Sequence, residues 1–206
     1  SKQYKFLLGL VLAIFLGLLV SMVVLTQTLN TDLSAIQGRK EVLTSMQLEN
    51  VLVAAVHRNV RILYGYATGV QSPSNYAVNF QAPALFAGTA LQLSIMSEYN
   101  QNFLSHMGML DATNRDRIFT RDVKVYDTGY GDSPEISSDL TIVEALQKML
   151  SLEYQALGLA KTNLVSAVPV WKVILRNSLN DFLVANQGKV DTIVNSSHVN
   201  KKIVFS

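Results

Sequence analysis

The sequence predicts an all-α protein, in which an N-terminal transmembrane helix continues into an up-down-up-down four-helix bundle with one long irregular loop. Two observations lead to this fold class. An uncharged apolar run lies near the start of the chain, and four later stretches carry apolar residues at the three- and four-residue steps of a helix. The length of 206 residues is enough for one span and one domain of ordinary size.

The apolar run follows Lys2 and Lys5 and extends from Phe6 to Thr26 without a charge. A helix needs about 20 such residues to cross a bilayer, so a transmembrane helix is predicted over 6–27. A cleaved signal peptide is the competing interpretation, although its apolar core normally has only about 7 to 15 residues. The two lysines place the N-terminus, residues 1–5, in the cytoplasm and the main domain on the extracytoplasmic side.

Small residues recur at every fourth position of this run, which places Gly9, Ala13, Gly17 and Ser21 on one face. Such a face allows close packing of another membrane helix, from a second copy or from a later span of the chain. The alternative is that these residues are simply common in membrane helices.

The extracytoplasmic helical bundle is predicted over 28–202. Its first helix covers about Thr28 to Thr68, continues the membrane helix and ends in a turn before Pro73. The second begins at Pro83, a residue suited to a first helical turn, and extends to about Leu110.

The third and fourth helices have clear start signals. Thr141 and Glu144 have the spacing of a capping box, which predicts a helix from near Asp139 to about Asn163. Pro169 opens the fourth helix, which is expected to reach as far as Lys202. The apolar end of the chain, residues 203–206, is interpreted as the start of a second transmembrane helix, with a natural C-terminus as the alternative.

The loop over 111–138 is the segment least typical of a bundle. The alternation of Val123 to Tyr126 predicts a short strand, and Asp127 to Pro134 predicts a turn. A loop of this length is often functional, as a lid or a partner contact. The alternative is a surface excursion that packs Ile118, Phe119 and Tyr126 against the bundle.

A resemblance can be stated on the long first helix, which reads Ser34-Ala-Ile-Gln-Gly-Arg-Lys-Glu41 and later Ala54-Ala-Val-His-Arg58. With the lysine-flanked span before it, this segment resembles the helical sensory segments of chemoreceptors, sensor kinases and some transmembrane nucleotide cyclases. The resemblance implies a receptor module that senses a small-molecule or protein ligand and passes helix movement through the membrane, as a homodimer or beside other transmembrane helices. The alternative function is a single-span accessory or scaffold subunit of a larger membrane complex.

Basic and aromatic residues late in this helix are the candidates for ligand binding. His57 and Arg61 lie four residues apart and Arg58 lies three residues before Arg61, so the three are neighbours on the helix surface. An arginine could bind a carboxylate ligand through its planar guanidinium group. Tyr64 could line the mouth of such a pocket. The alternative places the arginines on a solvated face.

Other kinds of site receive no support from the sequence. The net charge of +2 does not suggest a nucleic-acid partner, and the absence of cysteine excludes disulfides and thiolate metal sites. His57, His106 and His198 lack metal-ligand spacing, and neither a G-x-S-x-G nor an H-E-x-x-H motif occurs, so we expect no metal, no cofactor and no catalytic residues. Asn195 begins the sequon Asn-Ser-Ser and is a glycosylation candidate.

Overall fold

The computed structural model describes residues 2–75, 80–110, 112–178 and positions 184, 185, 187, 188 and 191. Five α-helices and one small antiparallel sheet form this part of the chain, and most of its residues are helical. The predicted helical class is therefore confirmed. Asn195, the predicted helix end at Lys202 and the expected second span at 203–206 lie outside the described residues.

Helix α1 extends from Lys2 to Ala67 without a break. It contributes to two compact units, one ending at Lys40 and the other beginning at Glu41. In the first unit, α1 contains an 18-residue window with a mean hydropathy of 2.7, and none of that window is buried. By length and composition, this helix can cross a membrane.

In the second unit, the buried face of α1 follows a heptad pattern. Buried residues alternate at steps of four and three because 3.6 residues complete each helical turn. The residues of this heptad stripe are Val42, Met46, Glu49, Val53, Val56, Val60 and Leu63. Three polar residues of the same helix are buried beside the stripe, namely Ser45, His57 and Asn59. The helix therefore packs into a core that includes several polar positions.

Helix α2, Ala82–His106, runs antiparallel to α1. The amide of Asn102 donates a hydrogen bond to Ser45 Oγ at 2.8 Å, whereas the amide of Asn59 donates to Thr89 Oγ1 at 3.2 Å. The later residue of α1 therefore pairs with the earlier residue of α2. Between the helices, Gly69 adopts a φ of +73° just after the end of α1, a conformation that glycine tolerates, and a 3₁₀ turn follows at Pro73–Asn75.

Helix α4, Ile142–Thr162, starts where the capping-box spacing predicts. Thr141 Oγ1 accepts a hydrogen bond from the backbone N–H of Glu144, and the Glu144 carboxylate accepts one from the N–H of Thr141. A 3₁₀ turn at Leu164–Ala167 leads directly into α5, Val168–Ser178. The predicted start of this last helix at Pro169 is correct to within one residue.

The segment between α2 and α4 is more ordered than the irregular loop we expected. After a 3₁₀ turn at Met107–Met109 it forms α3, Ala112–Ile118, and then β1, Val123–Tyr126, and β2, Ser137–Leu140. The predicted strand at Val123–Tyr126 is confirmed. The description as irregular was wrong because β1 finds an antiparallel partner in β2, with Val123 opposite Leu140 and Tyr126 opposite Ser137.

The core of the second unit is continuous and includes buried residues of all five helices and of β1, with Leu140 of β2 packed against it. Its largest fully buried side chains include Trp171 of α5, Phe103 of α2 and Leu146 of α4. Ile118 of α3 and Val125 of β1 are also buried, whereas Phe119 is 53% exposed. The excursion between α2 and α4 is therefore packed against the helices through part of its predicted apolar set.

Candidate functional site

Polar side chains are buried inside the core of the second unit. The set on the three longest helices consists of Ser45, Glu49, His57, Asn59, Thr89, Asn100 and Glu153. A buried polar group costs free energy unless it finds a hydrogen-bond partner, and a buried charge costs more. These side chains are therefore the main candidates for a functional site in the second unit.

His57 of α1 and Glu153 of α4 form a buried pair at the centre of this set. His57 Nε2 lies 3.4 Å from Glu153 Oε1, and the two side chains are 8% and 2% exposed. The remaining polar atoms of the pair, His57 Nδ1 and Glu153 Oε2, have no hydrogen-bond partner among the described residues. The pair thus connects α1 and α4 by a single polar contact inside a mainly apolar core.

Burial raises the pKa of the Glu153 carboxyl group, because the charged form loses its hydration. The hydrogen bond and the charge of His57 act in the opposite direction and offset part of this effect. A carboxyl group in this position favours its protonated form more than an exposed glutamate does. The Glu153 carboxyl group can therefore hold a proton inside the core.

Uncharged polar side chains form a second contact, between α1 and α2. The amide nitrogen of Asn59 donates to Thr89 Oγ1 and also approaches Gln92 Oε1 at 3.1 Å. Further along the same two helices, Asn100 is 5% exposed and its side-chain oxygen has no hydrogen-bond partner among the described residues. The polar core thus extends over several turns of α1 and α2.

The four predicted ligand-binding residues do not share one surface. His57 is buried, Arg58 and Arg61 are exposed, and Tyr64 is half-buried. The Arg58 guanidinium lies 5.8 Å from the centre of the Phe80 ring, which leaves it on the outside of the helices. His57 therefore faces the core while the two arginines face away from it.

The predicted small-residue face is accessible within the first unit. Gly9, Ala13, Gly17 and Ser21 are all exposed, and a Cβ placed on either glycine would meet no atom within 4 Å. Ser21 Oγ donates a hydrogen bond to the Gly17 carbonyl at 2.9 Å, so its hydroxyl is satisfied by its own helix. Serine side chains inside helices commonly satisfy their hydroxyl group in this way.

A second histidine–glutamate pair provides an internal comparison. His106 Nε2 of α2 lies 3.4 Å from Glu41 Oε2 of α1, the same separation as in the buried pair. Its side chains are 23% and 45% exposed, so water can hydrate their charges. The two pairs therefore differ mainly in burial.

Sequence reasoning identified His57 but missed Glu153. The two lie far apart in the chain, and only folding brings them together. One signal was present: Glu153 occupies the apolar stripe of α4 between Met149 and Ala156, where a charged residue is unusual. A glutamate at a core position of a predicted helix indicates a buried partner elsewhere.

A cleft of about 290 Å³ lies beside α3 and β1. It is lined by Arg117, Ile118, Thr120, Asp122, Val123, Ile142, Ala185 and Gly188. In the described part of the chain, no group of three or more histidine, aspartate or glutamate residues is arranged to hold a metal ion.

Comparison with known protein families, with characterised proteins and with solved structures gave no match.

Proposed function

We propose that this chain is a sensory module of a transmembrane receptor, which detects a ligand or partner outside the membrane and relays helix movement through it. The observation that carries the proposal is the composition of α1. One helix, Lys2–Ala67, contains both the uncharged apolar segment and the buried stripe, and His57 is buried beside that stripe. Because both segments belong to one helix, movement of the packed segment can be transmitted along the backbone to the apolar segment.

The polar core supports a switching role. Buried polar and charged side chains lower the stability of a helical core relative to apolar ones of similar volume. They also allow alternative packings that differ by only a few kcal/mol, which a receptor needs if a stimulus is to change its conformation. The contact between His57 and Glu153 is the strongest feature of this kind among the described residues.

The proposed arrangement is an up-down-up-down bundle of α1, α2, α4 and α5, with the N-terminus in the cytoplasm and the bundle outside. The antiparallel contacts of α1 with α2 support it, as does the short connection between α4 and α5. The exposed face of Gly9, Ala13, Gly17 and Ser21 supports a neighbouring span, from a second copy or another transmembrane helix.

Single-cysteine variants test the orientation, since the chain contains no other cysteine. In sealed vesicles with the extracytoplasmic side facing out, Ser137→Cys, at an exposed position of β2, should react at once with a membrane-impermeant maleimide. Gln3→Cys should react only after the membrane is permeabilised. Labelling of both sites from the same side would contradict a membrane-spanning α1.

Thr26→Cys, at the end of the apolar segment, tests the relay. Leu63 is fully buried and Arg61 is exposed, so Leu63→Ala disturbs the core while Arg61→Ala does not. If α1 transmits movement, Leu63→Ala should change the rate at which Thr26→Cys reacts with the maleimide, and Arg61→Ala should leave that rate unchanged. Equal rates in both backgrounds would contradict the relay.

A second candidate function is an accessory or scaffold subunit of a membrane complex. The observation in its favour is a set of large apolar side chains that are exposed in the second unit, among them Val51, Leu91 and Val165, at 66%, 63% and 58%. A protein partner could cover such residues. Co-purification of the chain with a stoichiometric membrane partner, together with an unchanged Thr26→Cys rate in the relay test, would favour this function.

A further inference from the structure

We propose that the stimulus of this module is the proton, and that the His57–Glu153 pair is the site at which α1 and α4 respond to extracytoplasmic pH. The inference rests on the proposed receptor function, because it names what that receptor detects. It stands on the position of the pair: two titratable side chains, both nine-tenths buried or more, meet at 3.4 Å and connect two different helices.

Few other buried side chains of this core can carry a charge that would compensate one on the pair. Among the described residues, the buried titratable side chains are Glu49, His57 and Glu153. Glu49 lies on α1, about two turns before His57. Helix α2 contributes neutral polar groups, Thr89 and Asn100, to the core.

The other charged groups on the long helices of this core are at least partly exposed or already paired. On α1, Arg58 and Arg61 are exposed, and on α2, Glu98 is exposed and His106 pairs with Glu41. On α4, Lys148 pairs with Asp127, and Lys161 is exposed. On α5, Arg176 pairs with Glu135, and Lys172 is partly exposed.

The protonation state of Glu153 therefore decides whether the pair contains an isolated buried charge. A protonated Glu153 beside a neutral imidazole leaves no isolated charge. When Glu153 loses its proton beside a neutral imidazole, the buried carboxylate has no counter-charge, which is costly in a core.

The sign of the pH dependence follows from the same geometry. Burial raises the pKa of Glu153 above its value in the unfolded chain, so the folded chain holds that proton more tightly. The resulting stability is fully present below the unfolded pKa and is lost as the pH rises through the folded pKa. The link between α1 and α4 should therefore weaken as the pH rises through the folded pKa of Glu153.

Trp171 provides a readout of this core. It is the single tryptophan of the chain, lies on α5 in the same core and is 1% exposed. The Trp171 emission spectrum of the whole chain in lipid nanodiscs should shift reversibly as the pH rises through the folded pKa of Glu153. The thermal unfolding temperature should fall over the same pH range.

Two variants of the buried pair test this transition. Glu153→Gln cannot form a carboxylate, so it should lose the transition. His57→Gln removes the group that lowers the pKa of Glu153, so it should move the transition to higher pH. The matched control is His106→Gln, which removes the histidine of the more exposed pair and should leave the transition in place.

Clear results would overturn the proposal. A pH profile that is the same in the wild type and in both variants of the buried pair would do so, as would loss of the transition in His106→Gln alone. If Glu153→Gln fails to fold, infrared spectra of Glu49→Gln report the Glu153 carboxyl group in a folded chain. A protonated-carboxyl band should disappear over the transition, and absence of that band at every pH would also contradict the switch.

The same pH steps applied to the Thr26→Cys variant distinguish this inference from the function on which it rests. A Trp171 response to pH without a change in the Thr26→Cys labelling rate would support the proton switch and contradict the relay. Identical Trp171 profiles in all variants would contradict the proton switch. The effect of Leu63→Ala on the Thr26→Cys labelling rate would then still test the relay.

Discussion

The side-chain amide of Asn177 on α5 pairs with the backbone of Tyr126 on β1 as a neighbouring strand would. Its Oδ1 accepts a hydrogen bond from the Tyr126 N–H at 2.7 Å, and its Nδ2 donates to the Tyr126 carbonyl at 2.9 Å. Asn177 is 4% exposed. One side chain thus satisfies both polar groups of a strand residue and fixes the sheet to the last helix.

We expect Asn177→Ala to destabilise the fold by about 2 to 4 kcal/mol, because both backbone groups of Tyr126 would lose their partner in a largely buried place. Urea unfolding followed by Trp171 emission measures this change. Asn163→Ala is the control, since Asn163 is exposed and only caps a 3₁₀ turn through one hydrogen bond to the N–H of Val165. It should cost about 1 kcal/mol or less. Equal effects of the two changes would contradict the role assigned to Asn177.

Arg176 anchors the β1–β2 connection by several kinds of contact. Its guanidinium lies 3.9 Å from the centre of the Tyr126 ring, forms an ion pair with Glu135 at 2.9 Å and donates to the Gly129 carbonyl at 3.1 Å. Lysine lacks the planar group that makes these contacts together. Arg176→Lys should therefore cost about 1 to 2 kcal/mol and increase hydrogen exchange in 127–136.

The control for Arg176 is the exposed pair of Arg121 and Glu144, with side chains 64% and 39% exposed. Arg121→Lys should change stability by less than about 0.5 kcal/mol, because hydrated ion pairs contribute little. Faster exchange in the β1–β2 connection of Arg121→Lys, without an effect in Arg176→Lys, would refute the assignment.

The capping box predicts a defined pH response at the start of α4. The hydrogen bond from the Thr141 backbone N–H is the main cause that lowers the pKa of Glu144, and Arg121 adds to it. Because the pKa is lower in the folded chain, the contribution of Glu144 is present above its unfolded pKa and is lost as the pH falls through the folded pKa. Glu144→Gln should remove this acid-side loss from the stability profile. An unchanged profile would show that the carboxylate does not act as a cap.

Two glycines should respond oppositely to alanine. A Cβ on Gly129 would lie 2.6 Å from Lys172 Cβ on α5, so Gly129→Ala should destabilise the chain by forcing the β1–β2 connection away from the helix. Gly158, inside α4, is exposed and has no atom within 4 Å of an added Cβ. Gly158→Ala should stabilise by about 0.5 to 1 kcal/mol through helix propensity. Thermal unfolding of both variants checks the pair, and stabilisation by Gly129→Ala would contradict the close approach.

The features that sequence reasoning predicted are those specified by local patterns. The Thr141–Glu144 capping box spans a single helical turn, and β1 has a clear alternation, so both could be predicted without knowledge of the fold. Strand β2 was missed because Ser137-Ser-Asp-Leu140 has little β-propensity and depends on its pairing with β1. The partners of His57 and Asn177 come from distant parts of the chain, and no local pattern specifies such a contact.

Transmission along α1 should depend on the continuity of this helix. Met46 is fully buried in the heptad stripe of this helix, and an interior proline removes a backbone hydrogen bond and costs about 3 kcal/mol or more. We expect Met46→Pro to abolish the effect of Leu63→Ala on the Thr26→Cys labelling rate, because the kink interrupts the path along the helix. Met46→Leu conserves volume and should leave that effect intact. Trp171 emission verifies that each variant retains its core. A Met46→Pro chain that keeps a folded core and still couples Leu63 to Thr26 would rule out transmission through α1.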